Sequence, residues 1–428
     1  MSESAPVTAD VGIEKLVYGG DGLGRWPGGK AAFVPFTLPG ETVRAERESE
    51  KPGFVRARPV EILAPAPERV APGCEYFLRC GGCQLQHADA EAQLRLKADV
   101  LRETLARTGG IAWAGPIVAH ASPPWGYRNR VQLRWKPEGL GYFARDSHAL
   151  VAVAHCPVAS PALNAAIAAL AAGTSPPAPM EIELAADDAD AALLVQLNAA
   201  RAGAAERAFA SGLMGRVPGC VSVVLAASGE GAPPPAVLAG PGYMRYAVGG
   251  QAYRLSHGAF FQVNRFLLEA LVAAVTRDAE GVPVTGERAA DLFSGVGLFA
   301  LPLAAHFRAV SAVESNPAAA ADLGSNAVGF PALRTHAMDA AQFLERWAGP
   351  LDLLVADPPR AGLGAKLTAA IAAAAPRRLH YLSCDPATLA RDLKALVASG
   401  PMEIESIEIF DLFPQTYHIE TLVRLRRR

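Results

Sequence analysis

Ala289-Ala290-Asp291-Leu292-Phe293-Ser294-Gly295-Val296-Gly297-Leu298-Phe299 carries the pattern on which the fold turns. A short apolar run of strand type contains an acidic residue and opens into two closely spaced glycines. Glycine lets a chain turn tightly and approach a ligand, because no Cβ stands in the way. From about residue 260 the same grammar of strand, turn and helix repeats on both sides of this loop. Ala309-Val310-Ser311-Ala312-Val313-Glu314, Leu351-Asp352-Leu353-Leu354-Val355-Ala356-Asp357 and Leu379-His380-Tyr381-Leu382-Ser383 read as further strands. Such alternation predicts a largely parallel, doubly wound sheet with ligands at the carboxyl ends of its strands.

Upstream the grammar differs. Residues 8–66 alternate apolar and polar side chains between glycine clusters at Gly19-Gly20, Gly22, Gly24 and Gly28-Gly29, which predicts a small OB-like β-barrel. Leu94, Leu96, Val100, Leu101 and Leu105 recur at helical spacing over about 88–108. Residues 112–245 favour strands, including Arg130–Trp135, Leu193–Leu197 and Val221–Leu225. An alanine-rich helix near 161–172 and a proline loop at Ala232-Pro233-Pro234-Pro235 interrupt them. The expectation is a multidomain α/β protein. Its parts are a barrel over 8–66, a central β-rich α+β domain over 67–245 and a Rossmann-like domain over 246–428.

The 428 residues suit two or three domains, and 51% hydrophobic content supports a large core. No run of about 18 apolar residues occurs, so no membrane span is expected. The start, Met1-Ser2-Glu3-Ser4-Ala5-Pro6, has neither a basic nor an apolar leader, which predicts a cytoplasmic protein. With 40 Lys and Arg against 42 Asp and Glu, the formal charge is −2. A nucleic-acid partner would therefore have to meet locally concentrated charge. The candidates are Arg128, Arg130, Arg134 and Lys136, and the tail Arg424, Arg426, Arg427 and Arg428. No exposed heptads stand out, so a monomer is expected.

The chemistry gathers at strand ends. Glu314 closes a strand 23 residues after Asp291, where a carboxylate accepts the hydroxyls of a ribose. The partial glycine pattern suits S-adenosylmethionine or a dinucleotide, and the flanking Asp291 and Leu298-Phe299 fit the former better. Asp357-Pro358-Pro359-Arg360 ends another strand, its prolines fixing the backbone beside a substrate. Similar acidic-Pro-Pro motifs serve amino-methylation, but there an aromatic usually follows. Ser383-Cys384-Asp385-Pro386 ends the next strand, and Asp411–Thr421 holds a His and a Glu before the last. Methylating carbon 5 of uracil needs a thiolate to add at carbon 6, a base to remove the carbon-5 proton and a group to orient the ring. Cys384, Glu420 and Asp357 are residues of those three types.

Phe260-Phe261-Gln262-Val263-Asn264, Asp291–Phe299, Asp357–Arg360, Ser383–Pro386 and Pro414–Thr421 together resemble the RNA (uracil-5-)-methyltransferase family, in the family's order. The resemblance implies Cys384 as nucleophile and Glu420 as base. It implies Gln262, Phe293, Glu314, Asp339 and Asp357 along the adenosylmethionine and uracil pockets, and Phe260 beside the extruded base. His418 receives no catalytic role. Family members often carry a polar residue where Leu298 stands.

Cys74, Cys80 and Cys83 crowd together, with Cys156 distant and Cys220 outside any motif. Four thiolates suit zinc or a [4Fe–4S] cluster, whereas the spacing of radical enzymes is absent. The family's bacterial ribosomal-RNA branch resembles this chain in its cysteines and in an N-terminal barrel called TRAM. That resemblance implies a [4Fe–4S] cluster on Cys74, Cys80, Cys83 and Cys156, and 23S rRNA as substrate, with tRNA as the alternative.

Overall fold

The computed structural model describes residues 7–228, 234–398 and 400–428. Ala232 and Pro233 of the proline loop, and the start Met1–Pro6, lie outside the described residues. The chain divides into two compact units.

The first unit comprises Met1–Glu103, Phe143–Val151 and Phe413–His418. Its strands β1 (Thr8–Leu16), β2 (Asp21–Arg25), β3 (Ala31–Pro35), β4 (Thr42–Glu50) and β5 (Phe54–Ala64) form a closed barrel of order β1-β2-β3-β5-β4. Alternate residues point inward, so Val11, Ile13, Ala32, Val34, Val43, Ala45, Val55 and Ala57 make one core capped by Trp26. Closure brings strands close. A Cβ on Gly24 would lie 2.2 Å from the Gly12 carbonyl oxygen, so only glycine fits there. Outside the barrel, α1 (Ala90–Thr104) buries Ala92, Gln93, Leu96, Lys97, Val100 and Leu101 on one face. The short β9 (Leu150–Ala152) falls mostly within the 143–151 segment.

The second unit holds two large sheets. β7 (Arg130–Lys136), β8 (Gly139–Phe143), β10 (Met180–Ala186), β11 (Leu193–Ala199), β12 (Cys220–Ala227) and β13 (Ala236–Ala239) run in the order β13-β12-β11-β10-β7-β8. Helices α2 (Pro161–Ala171) and α3 (Ala204–Ser211) interleave with them in sequence. A hairpin, β14 (Tyr243–Val248) with β15 (Gln251–Ser256), follows. Asp322, itself buried, ties it down by accepting from Arg254 Nε (2.9 Å), Ser256 N (2.5 Å) and Ser256 Oγ (2.7 Å).

The other sheet has eight strands. They are β6 (Ile117–His120), β16 (Gly286–Leu292), β17 (Phe307–Glu314), β18 (Leu333–Ala337), β19 (Leu353–Ala356), β20 (Arg378–Ser383), β21 (Met402–Phe410) and β22 (Glu420–Arg427). Their order is β18-β17-β16-β19-β20-β22-β21-β6. The first five are parallel, and β22 runs antiparallel to both β20 and β21. Helices α4 (Leu268–Val275), α5 (Ala300–Leu303), α6 (Pro317–Asn326), α7 (Ala340–Glu345), α8 (Gly364–Ala374) and α9 (Pro386–Leu393) alternate with these strands. This is the doubly wound architecture expected from residue 260 onward. β6, far upstream in sequence, completes its edge by pairing Ile117 with Ile407.

Candidate active site

β17 and β18 build outward on one flank of β16, and β19 and β20 on the other. A reversal of this kind opens a crevice at the carboxyl ends of the two central strands. The glycine loop leaves β16 at that point, and Asp357 follows β19 directly.

The loop is a strained turn. Phe293 takes φ +60°, Gly295 +56° and Gly297 +99°, and a left-handed residue bearing a Cβ costs roughly 1–2 kcal/mol. Ser294 secures it: its N–H donates to Val313 O (3.0 Å), and its Oγ donates to Asp291 O (2.6 Å) and accepts from Val313 N (3.0 Å). The glycines differ in purpose. A Cβ on Gly297 would strike Leu301 Cδ1 at 2.4 Å and Leu323 Cδ1 at 2.9 Å, so that position packs against protein. A Cβ on Gly295 would meet, among the described residues, only Phe260 O at 3.8 Å. Gly295 therefore borders open space.

Glu314 ends β17 and faces this loop. Its Oε2 accepts from Gly295 N (2.8 Å) and its Oε1 from Asn316 N (2.6 Å), which fixes the carboxylate while leaving a second lone pair on each oxygen. Asp339 stands after β18 but is exposed, and its Oδ1 accepts from Ala341 N (3.0 Å) and Gln342 N (3.1 Å) as the N-cap of α7. Phe260 is 62% exposed, whereas the adjacent Phe261 is buried against Tyr246 and Tyr253. Arg130 holds this segment by donating to Ala259 O (2.9 Å), and Asn129 by donating to Gln262 O (3.2 Å).

Cys384 sits at the junction of β20 and α9. Asp385 caps the helix by accepting from Ala387 N and Thr388 N (both 2.9 Å), with Pro386 in its first turn. The motif is thus a strand end and a helix start, with the thiol between them. Register brings in Glu420: Ser383 pairs with Thr421, so the first residue of β22 falls beside Cys384.

These groups feel one another. Burial, then the charges of Glu420 and Asp357, push the Cys384 thiol up to about 12, with Arg360 acting in the opposite sense. Burial and Asp357 push Glu420 well above the usual carboxyl range. Asp357 is pushed up to about 7 by burial, although Gln262 Nε2 donates to its Oδ2 at 3.3 Å. Asp291, wholly buried, is also raised by burial, with the Asp357 and Glu314 charges adding to the effect. Desolvation and crowded acids therefore keep protons on this site. Nothing in the sequence marked Asp291 as part of that electrostatic cluster, because the signal is its burial.

The basic clusters resolve differently from expectation. Arg130 pairs with Glu183 at 3.5 Å and Arg134 pairs with Glu181. Arg424 is corrected from surface to interior: it pairs with Glu408 and donates to Arg277 O (3.0 Å) and Ala274 O (2.8 Å). An arginine in a C-terminal run looks solvated in sequence, but β22 lies inside the sheet.

Cys74, Cys80 and Cys83 occupy one turn-rich loop. Cys80 N donates to Tyr76 O (2.9 Å), and Gly82 N points at Cys80 Sγ (3.4 Å). Cys156 precedes α2, its N–H bonded to Asn164 Oδ1 (2.8 Å). None of the four is joined in a disulfide among the described residues. Among the described residues no group of three or more His, Cys, Asp or Glu is gathered to hold a metal ion. In kind the donors fit an iron–sulfur cluster, being soft thiols with an amide N–H directed at one sulfur. Cys220, half-buried at the start of β12, joins none of them.

The glycine loop at a switch point, with a thiol and carboxyls crowded beside it, defines a methyltransferase of the doubly wound class. Comparison with known proteins narrows this. The family model described as tRNA (Uracil-5-)-methyltransferase matches residues 246–428, and the TRAM domain model matches residues 8–60. An uncharacterized RNA methyltransferase of Thermosynechococcus vestitus is 32% identical over 98% of both chains. The 23S rRNA (uracil(1939)-C(5))-methyltransferase RlmD of Chromohalobacter salexigens is 35% identical, over 98% of this chain and 90% of its own. The tRNA (uracil-54, C5)-methyltransferase of Pyrococcus abyssi, solved with S-adenosyl-L-homocysteine, shares the fold. Its TM-score is 0.73 at 23% identity, over 97% of this chain and 100% of that one. The chain belongs to the RNA (uracil-5-)-methyltransferase family.

Proposed function

We propose that this protein transfers a methyl group from S-adenosylmethionine to carbon 5 of a uridine in 23S rRNA. The observation that carries the chemistry is the Cys384–Glu420–Asp357 group beside the open glycine loop. The choice of ribosomal RNA rests on full-length similarity to proteins named for that substrate. In this reading three stretches of the sequence serve it, a TRAM barrel over 8–66, a central part over 67–245 and a methyltransferase part over 246–428, which the two compact units cut across.

Each residue has a task. Gly295 leaves room for the methyl donor, and Glu314 accepts from its ribose. Gln262, Phe293, Asp339 and Asp357 complete the pockets for donor and uracil, and the exposed Phe260 meets the extruded base. The Cys384 thiol gives its proton to solvent, and its sulfur adds to carbon 6 while the C5–C6 π pair shifts into an enolate. The resulting enolate attacks the methyl of the sulfonium from carbon 5, and S-adenosylhomocysteine leaves. Glu420, ionised at that stage, takes the carbon-5 proton. The C–H electron pair restores the C5–C6 double bond and expels the thiolate. A buried carboxyl of raised proton affinity suits removal of a weakly acidic C–H proton.

Cys74, Cys80, Cys83 and Cys156 would hold a [4Fe–4S] cluster with a structural or RNA-positioning task, since no step above moves an electron. Anaerobic purification should yield iron and sulfide that Cys80→Ala loses.

The deciding experiment incubates 23S rRNA and tRNA from a strain lacking the protein with labelled S-adenosylmethionine, then identifies the labelled nucleoside. Label in 5-methyluridine of 23S rRNA is expected. Label in tRNA overturns the substrate, and label in a methylated adenosine overturns the chemistry. Cys384→Ala should abolish turnover, while Glu420→Gln should trap an RNA–protein adduct.

A further inference from the structure

Asn129 stands just before β7, in the central stretch of the sequence, and Gln262 lies 133 residues later. Both belong to the second compact unit. Gln262 is part of none of the strands or helices above, so its backbone depends on contacts made to it and its neighbours. Asn129 supplies several of them. Its N–H donates to Val263 O (2.9 Å), and its Nδ2 donates to Gln262 O (3.2 Å) and to the Tyr246 hydroxyl (3.0 Å). The Tyr246 ring in turn packs against Phe261, with 4.9 Å between centroids. Asn129 therefore holds three successive residues, Phe261 through Tyr246 and the other two directly. It is itself anchored, because its carbonyl accepts from Ala186 N (2.7 Å) at the end of β10.

Asn129 and Gln262 are each 4% exposed. Buried polar groups left unmade are costly, so a satisfied amide at this depth favours one backbone geometry. Gln262 uses that geometry to donate from Nε2 to Asp357 Oδ2 at 3.3 Å. Such a length lies at the outer edge for an N–H···O bond, so a small backbone displacement breaks it.

We propose that Asn129 is a positioning residue that acts through Gln262. By fixing the Gln262 backbone, it sets where that amide meets Asp357. The inference rests on the place given above to Gln262 and Asp357 in the pockets for donor and uracil. It makes a residue of the central stretch part of the scaffold of the site.

The test uses full-length protein and two constants, the Kd for S-adenosylhomocysteine by calorimetry and kcat/KM for 23S rRNA at saturating donor. Gln262→Ala identifies which of them this amide governs. Asn129→Ala should worsen the same constant about five-fold. On a Gln262→Ala background it should add less than about two-fold, because both changes remove one contact. Asn129→Leu, which keeps the volume, should act in the same sense and serves if Asn129→Ala folds poorly. A merely structural role would lower the melting temperature and the active fraction without changing either constant per active molecule. Wild-type constants in both Asn129 variants, or effects that multiply in full on Gln262→Ala, overturn the inference alone. If Gln262→Ala moves neither constant, the pocket assignment falls and the inference falls with it.

Discussion

At Cys384 the thiol proposed as nucleophile sits among acids that oppose its ionisation. Burial first, and the Glu420 and Asp357 charges next, push the thiol up to about 12. It is therefore protonated at neutral pH, and the sulfonium of the methyl donor brings the positive charge that these acids lack. Alkylation of Cys384 by iodoacetamide at pH 8, read by peptide mass, should be slow in the free protein. Asp357, pushed up to about 7, is ionised at pH 8, so Asp357→Asn removes one neighbouring charge and leaves burial in place, and the rate should rise several-fold. An unchanged rate would mean that the carboxylate does not act on the sulfur.

At the scale of elements, the glycine loop separates a glycine that packs against protein from one that borders open space. Gly297 is closed in by Leu301 and Leu323, whereas Gly295 borders open space. Gly297→Ala should cost about 1–3 kcal/mol from crowding, with a further penalty for its backbone. Gly295→Ala should cost only about 1–2 kcal/mol, from its left-handed backbone. Yet it should weaken S-adenosylhomocysteine binding more than about ten-fold, because the methyl would fill the space proposed for the donor. Thermal melts and calorimetric titration distinguish the two, and equal effects on both readouts would contradict the division. Caps show the same economy: Asp385 orders the start of α9 directly after the thiol, while Asp339 does so for α7. As a sequence signal, an acidic residue after a strand reads equally as ligand or as cap. Asp339 shows that the cap is built whether or not the ligand role holds.

For the whole molecule, acids buried at the site couple chemistry to stability. Asp357 is raised from an ordinary carboxyl value to about 7, so the folded state holds its proton more tightly than the unfolded chain. Its contribution is fully present below about pH 4 and is lost as the pH climbs towards about 7. The melting temperature of the wild type relative to Asp357→Asn should therefore fall across that window and level off above it. A difference independent of pH would show that Asp357 is not buried as a neutral acid. Much of the molecule was legible from local signals alone. Alternating strands and glycine turns specified the barrel, and strand–turn–helix repeats specified the doubly wound sheet. Cys384 and Glu420 stood out because their motifs are contiguous in sequence. Only the tertiary structure decided that β22 carries Glu420 to the side of Cys384, that β6 completes a sheet nearly 300 residues downstream, and that Arg424 is internal. It also revealed the hold of Asn129 on Gln262. Local pattern fixes the conformation of a segment. Register, burial and proton affinity are sums over distant neighbours, which exist only once the chain has folded.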